Sequence, residues 1–393
     1  MKKKILFVIM HLHMAGAERS LVNLLNEMDY SKYDVDLILI KEEGELIAQL
    51  PKEVNMLDTP YELHAVYSNK IDRIGGIKYF IARGISVVYS NLYNKIHPCD
   101  VTAVRWNMFY SDLIPQLEKK YDVAVAYLSG PSMYYVAQKV YANKKIVFYH
   151  NDYIASTRMV GWKTDLPYFE TVDLIPTISE QCRRSLEKAF PDMKEKFRVI
   201  PNITSAKLIK SRAEEFFPDE YKEKKNIICS IGRLNQAKGF DLAILAAALL
   251  KERGNAFVWF VIGEGEERKK LQEQIVRNHL EDRFFLLGTR ENPYPYMKFA
   301  TVVVQTSRFE GKSMVLDEAK ILGKPIVATE YTTVRDQLTD EEGLVVKMNP
   351  EGIAGGIQEL LENDQMRDNL SDYLRQRDYG NLEEIQKLYD AFM

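Results

Sequence analysis

The sequence predicts an α/β protein made of two Rossmann-like domains that face each other across a cleft. Three observations carry this. Short apolar runs alternate with stretches of helical periodicity, the signature of βαβ units on parallel sheets. The alternation comes as two separate sets that join near Pro201-Asn202. The chain of 393 residues is also too long for one small core and suits two compact domains. The expected divisions are 1–202 for the N-terminal domain, 203–375 for the C-terminal one, and 376–393 as a C-terminal helix that returns to the first domain.

In the first half the strand-like runs are Ile5–Met10, Val35–Ile40, Val123–Leu128, Lys145–Tyr149, Leu174–Ser179 and Arg198–Pro201, with helical patterns at Ala17–Met28 and Glu180–Phe190. In the second half the runs are Asn226–Ile231, Phe257–Ile262, Phe284–Leu287, Thr301–Gln305, Pro325–Ala328 and Gly343–Val346. They are separated by helical patterns at Phe240–Arg253, Glu266–Asn278 and Met314–Leu322. Segment 73–117 is less regular and rich in Ile, Val, Tyr and Phe. Packing on its own sheet is the commoner reading of such a segment; an amphipathic helix on a membrane is the alternative.

Composition excludes several classes. Hydrophobic residues make up 46% and charged residues 28%, an ordinary globular balance. The net charge of -3 argues against a nucleic-acid partner. Residues 1–202 carry 26 basic and 24 acidic side chains. A basic face there could meet an anionic membrane or acceptor, and random scatter explains it equally well. Cys99, Cys182 and Cys229 are far apart and odd in number, which points to a reducing compartment without a disulfide framework. Lys2-Lys3-Lys4 followed by Ile5–Met10 imitates a signal peptide, but the apolar run is shorter than the ~7–15 residues of such a region, so a buried first strand is expected. No window approaches the ~18 apolar residues of a membrane span. A cytoplasmic protein is expected, with association at the inner face of the membrane left open.

Two motifs carry chemistry. In Ser230-Ile-Gly232-Arg233-Leu-Asn-Gln-Ala-Lys238-Gly239 a strand turns through glycine into a helix, offering backbone N–H groups and a helix dipole to an anion. Arg233 and Lys238 add two positive charges across the turn, which suits a departing diphosphate. A basic helix cap is the bland alternative. In Ser307-Arg-Phe-Glu310-Gly311-Lys312-Ser-Met-Val-Leu-Asp-Glu318-Ala the spacing places Glu310 at a helix N-terminus and Glu318 about two turns along it. One carboxylate can face the cleft while the other grips a ribose diol. Spaced glutamates on a helix are usually only solvated; here the strand before them and the Glu310-Gly311 turn make the pair more specific.

With these residues the chain resembles the family 4 glycosyltransferases (glycosyl transferases group 1 type), retaining enzymes of GT-B fold that use nucleotide-sugar donors. The resemblance covers nearly the whole chain and is strongest from Asn226 to Val346. It rests on Gly232-Arg-Leu-x3-Lys238-Gly, Gly263-Glu-Gly265-Glu-Glu267-Arg, the Glu310/Glu318 pair and Leu322-Gly-Lys-Pro-Ile-Val-Ala-Thr329. At the N-terminus Ala15-Gly16-Ala17-Glu18-Arg19 and Tyr149-His150-Asn151-Asp152 add to it.

The resemblance implies roles. Arg233 and Lys238 would hold the donor diphosphate in the turn at Gly232, and Glu318 the ribose hydroxyls. Glu310 and the backbone after Gly311 would hold the donor sugar, with Lys312, Ser313 and Met314 alongside. His150 would reach the sugar from the opposite domain, Gly16 would let the first loop approach the phosphates, and Thr289 lies in the region that meets the base. It further implies a UDP-linked donor, a hexosyl-type transfer with retention and without metal or other cofactor, and a glycan or lipid-linked acceptor in surface polysaccharide synthesis. Peripheral contact with an anionic membrane stays open. Two departures matter: Gly311-Lys312-Ser313 replaces the family's Gly-Phe-Pro, adding a charge beside the sugar, and Ala15 replaces the first loop glycine. The alternatives are a non-catalytic GT-B partner subunit and a GT-B nucleotide-sugar epimerase or phosphorylase.

Other signals weigh less. Asp34-Val-Asp36 imitates a metal-binding D-x-D but precedes an apolar run, so it is expected to start a strand and meet solvent. Gly263-x-Gly265 has Arg268 at the third glycine position, against a dinucleotide site. His11, His13, His64 and His97 form no metal set.

Overall fold

The computed structural model describes residues 2–13, 16–68, 76–97, 99–154, 162–310 and 312–393. They divide into two compact units. The first is built from the N-terminal strand, Ala17–Ile203 and Glu383–Met393, and the second around Thr204–Leu382.

In the first unit β1 (Lys3–Ile9), β2 (Tyr33–Leu39), β3 (Asn55–Met56), β4 (Leu117–Ala126) and β5 (Val140–Val147) form a parallel sheet in the order β3-β2-β1-β4-β5. Ile5 to Ile9 have no exposed surface, as a continuous apolar run at the centre of a two-sided sheet requires. β6 (Ile175–Thr177) and β7 (Phe197–Val199) pair with each other. Bridges from Leu174 to Ile146 and from Thr177 to Tyr149 join them to the edge of β5. The helix Ile385–Phe392 closes this unit: Tyr389 stacks on Tyr33 at 5.0 Å and Phe392 meets Phe7 edge-on at 6.5 Å.

Three expectations for this half change. Strands β4 and β5 begin at Leu117 and Val140, earlier than the apolar runs suggest, because their paired first halves are polar and largely exposed. Asp34 is exposed, but Asp36 lies inside β2 and is buried. It accepts hydrogen bonds from Lys119 Nζ (2.5 Å), Tyr121 Oη (2.6 Å) and Asn55 Nδ2 (2.8 Å). Burial alone would raise its pKa; the Lys119 and Tyr121 hydrogen bonds outweigh that and hold it below the usual range. Thirdly, segment 73–117, which includes the helix Ile77–Ile96, packs on its sheet only in part. Tyr79, Trp106 and Tyr110 turn inward, whereas Ile81, Ile85, Val88 and Leu92 are exposed.

In the second unit β8 (Ile227–Ile231), β9 (Val258–Ile262), β10 (Phe284–Gly288), β11 (Val302–Gln305), β12 (Ile326–Thr329) and β13 (Leu344–Val346) are all parallel, in the order β10-β9-β8-β11-β12-β13. Each lies where an apolar run marks it. The helices Phe240–Glu252 and Pro350–Glu362 bury Ile244, Ala247, Ile353 and Ile357 on one face; Leu316, Tyr331 and Met297 cover the other. The order reverses between β8 and β11. Open parallel sheets bind ligands outside the carboxyl ends of the strands at such a switch point.

Candidate active site

Both motifs leave the sheet at this switch point. After β8 the chain turns at Gly232 and passes through Lys238 to Gly239, which precedes the helix Phe240–Glu252. Gly239 has φ +63°, and a Cβ there would sit 2.1 Å from Thr306 O, so the loops after β8 and β11 touch backbone to backbone. Thr306 Oγ1 donates to Lys238 O (2.9 Å) and Arg308 N to Ala237 O (2.7 Å). The loop after β9 presses from the other side. Leu234 N donates to Glu264 O at 2.8 Å, and a Cβ on Gly263 would lie 2.0 Å from Gly232 O. The Gly263-x-Gly265 spacing thus shapes the Gly232 turn.

After β11 the chain runs through Glu310 to the helix Met314–Ile321. One oxygen of Glu310, Oε1, accepts from Lys238 Nζ (2.5 Å), Ser307 Oγ (2.6 Å) and Gln305 Nε2 (2.8 Å). Thr333 Oγ1 donates to Glu310 O at 3.0 Å, so both side chain and backbone of this residue are held. Arg308 makes a two-pronged bond to Asp241 (2.8 and 2.7 Å) that fastens this loop to the helix Phe240–Glu252. Burial would raise Asp241, but the Arg308 hydrogen bonds keep its pKa below the usual range. Ser313 N donates to Gln337 Oε1 (2.7 Å) and Ser313 Oγ to Gln305 Oε1 (2.7 Å). Gln305 therefore links Glu310 to the start of the helix.

Lys238 and Glu310 are brought together, with Gly232 beneath the Lys238 stem (3.3 Å from an added Cβ to Cδ). Arg233 takes a different direction: two-thirds exposed, it pairs with Glu266 Oε2 at 3.2 Å. Lys312 pairs with Asp317 at 3.2 Å. Glu318 sits in the second turn of its helix, nearer the N-terminus than the spacing predicts because the helix starts at Met314. Its side chain is fully buried and accepts from Tyr294 Oη at 3.3 Å. Thr289 follows the end of β10, where Arg290 binds Glu220 (2.9 Å) and Tyr296 Oη (3.1 Å). Gly311, like Ala15, lies outside the described residues.

Two candidates belong to the loops of the first sheet. Gly16 is the exposed first residue of the helix Gly16–Glu27 after β1. His150 follows β5, with its ring 5.0 Å from Tyr127 and 5.6 Å from Phe148. Burial drives its pKa down to about 4 against hydrogen bonding from the Tyr127 backbone and Asn202, so the imidazole is neutral at pH 7. Among the described residues no three His, Cys, Asp or Glu side chains converge as metal ligands.

Residues 211–377 match the family described as glycosyl transferases group 1. The matched segment spans the second sheet and both motif loops. In this part the chain is similar to the glycosyl transferases group 1 family.

The likeness extends beyond that segment in fold. A structure of Anabaena Alr3699/HepE in complex with UDP-glucose superposes with a TM-score of 0.69 at 18% identity, covering 99% of this chain and 98% of that one. The chain has the GT-B fold. Among curated relatives, an uncharacterized glycosyltransferase of Methanocaldococcus jannaschii is 25% identical over 169 residues, 42% of each chain. The N-acetylgalactosamine-N,N'-diacetylbacillosaminyl-diphospho-undecaprenol 4-alpha-N-acetylgalactosaminyltransferase of Campylobacter jejuni is 30% identical over 202 residues, 51% of this chain and 53% of that protein. The chain spans about half the length of these curated relatives.

Within the matched segment the sequence reading missed Gln305, Ser307, Thr333, Gln337 and Arg308. The Ser307-x-x-Glu310 spacing offered a local signal for one of them. Thr333 and Gln337 come from a loop beyond β12, and only the fold places them beside Glu310 and Ser313.

Proposed function

We propose that the chain is a retaining, metal-independent glycosyltransferase. It transfers a sugar from a nucleotide-sugar donor, UDP-linked, to a glycan or lipid-linked acceptor in surface polysaccharide or glycoconjugate synthesis. The observation that carries this reading is the Lys238–Glu310 pair, held at the carboxyl ends of β8 and β11 where the strand order reverses. The Anabaena structure binds UDP-glucose, and the Campylobacter relative is named for a diphospho-undecaprenol acceptor; both favour these substrate classes.

The chemistry follows from charge. As the nucleoside diphosphate leaves, negative charge builds on the phosphate and oxocarbenium character on the sugar. Lys238, Arg233, the Gly232 turn and the N-terminus of the helix Met314–Ile321 supply positive potential for the first. Glu310 positions the sugar and balances the second, with Gly311, Lys312, Ser313 and Met314 along the same loop. Glu318 and Thr289 serve the ribose and base, and His150 and Gly16 the sugar and phosphates. The acceptor attacks from the leaving-group side and its proton passes to the departing phosphate, so no covalent nucleophile is required.

Thermal unfolding with UDP, GDP, ADP, CMP and dTDP, each with EDTA present, tests this reading. A ligand at ~100 times its dissociation constant adds ~2.7 kcal/mol to the folded state. A selective shift with UDP is expected. No shift with any nucleotide would overturn the assignment and favour a non-catalytic subunit.

A further inference from the structure

The helix Ile77–Ile96 is built inside out. Apart from Tyr79, which joins the core, its buried residues are serines, and they are hydrogen-bonded. Ser86 Oγ lies 2.7 Å from Tyr110 Oη, Ser90 Oγ accepts from Arg105 Nε at 2.8 Å, and the Arg83 guanidinium donates to Ser68 O. Its outward face is apolar. Ile77, Ile81, Ile85, Val88, Leu92 and Ile96 are 45% to 74% exposed, and at ~100° per residue they fall within about 100° of arc. The stripe runs the whole helix, ~30 Å for its 20 residues. Exposed Met108, on the neighbouring turn Trp106–Tyr110, adjoins the same helix, where the rings of Tyr89 and Phe109 meet at 5.5 Å. A contiguous exposed apolar patch of this kind marks an interaction surface.

Charge decides what covers it. Residues 77–96 contain Lys78, Arg83 and Lys95 and no Asp or Glu. Lys78 and Lys95 are exposed. Two copies of this face would bring lysines together with no carboxylate on either helix to compensate. An anionic lipid surface supplies both the apolar medium and the opposite charge. No helix among the described residues is long and apolar enough to cross a membrane, so the contact lies in the interfacial plane.

We propose that the helix Ile77–Ile96 is a membrane-docking face that seats its Ile/Val/Leu stripe in an anionic bilayer surface, with Lys78 and Lys95 on the headgroups. This does not depend on the donor-site reading, because vesicle binding and nucleotide-induced stabilisation are separate measurements on the same protein.

The test is co-sedimentation of the full chain with vesicles of phosphatidylcholine alone and of phosphatidylcholine mixed equally with phosphatidylglycerol. Binding to the anionic vesicles is expected, and the triple variant Ile85→Glu, Val88→Glu, Leu92→Glu should lose it by roughly tenfold or more. These side chains project into solvent, so the variant keeps the wild-type unfolding transition. A second variant, Lys78→Gln with Lys95→Gln, leaves the stripe intact and should weaken anionic binding by roughly fivefold per lysine. That component should vanish at ~1 M salt, where the screening length falls to ~3 Å. Wild-type protein that stays in the supernatant with anionic vesicles overturns the proposal, as does a triple variant that still sediments. A concentration-dependent dimer dissolved by the same three substitutions also overturns it, because the face is then covered by a second copy.

Discussion

Lys238 Nζ lies 2.5 Å from Glu310 Oε1, although 72 residues separate them. The pair is largely shielded from water and shares its carboxylate oxygen with Ser307 and Gln305. The Lys238 ammonium is therefore held at the switch point by a side chain of the protein itself. A phosphate arriving there would compete for a lysine whose position is fixed on both sides, by Gly232 and by Glu310.

Replacing Glu310→Ala separates the two proposed roles of this pair. The variant frees Lys238 but leaves Ser307, Gln305 and the ammonium without their acceptor, a loss of about 1–3 kcal/mol in stability. Transfer should fall by ~10²–10³, the usual effect of removing one electrostatic group from a reaction centre. The melting shift with nucleoside diphosphate should persist, because the phosphate can replace the lost carboxylate as partner of Lys238. Turnover at the wild-type rate would remove Glu310 from the site.

Much of this arrangement was legible in the chain itself. Six apolar runs in the second half became six parallel strands, since buried parallel strands must be apolar on both faces. Glu310 and Lys238 stood out because their loops follow strands. What escaped was decided by tertiary contact. Gln305 ends a strand like many glutamines, and only the neighbouring Ser313 and Glu310 give its amide a purpose. Arg233 and Lys238 read as one basic pair, yet Glu266 and Glu310 draw them apart. The helix Ile77–Ile96 turns only Tyr79 into the core and leaves its aliphatic stripe outside, because Ser86, Ser90 and Arg83 on its inner side bond to Tyr110, Arg105 and Ser68.

Gly239 gives a backbone test of the same site. Its φ of +63° costs other residues about 1–2 kcal/mol, and an added Cβ would meet Thr306 O at 2.1 Å. Gly239→Ala should therefore destabilise the protein by more than the conformational cost alone and push the loops after β8 and β11 apart. The expected readout is a lower melting temperature together with a reduced nucleotide shift. Gly355→Ala, on the helix Pro350–Glu362 with open space around the new methyl, is the control and should leave both unchanged or slightly raise stability. Equal behaviour of the two variants would refute the close approach of the loops.

His150 and Asp165, both buried in the first unit, should oppose each other as the pH changes. Burial lowers His150 from 6.5 to about 4, while burial raises Asp165 from 3.8 to about 7 against the hydrogen bond from Tyr153. Between pH 4 and 6.5 the unfolded chain binds a histidine proton that the folded chain refuses. His150 therefore makes stability rise with pH, and its unfavourable effect is gone above 6.5. Between pH 3.8 and 7 the folded chain keeps the Asp165 proton that the unfolded chain loses, so this group makes stability fall as pH rises. At ~1.36 kcal/mol per unit the two trends are worth at most about 3 and about 4 kcal/mol. They nearly cancel in the wild type. Urea midpoints measured from pH 4 to 7 should be almost flat with respect to these two groups. Asp165→Asn should expose a rise with pH and His150→Gln a fall, whatever constant offset the lost packing adds. Parallel curves for all three proteins would show that neither group titrates differently on folding.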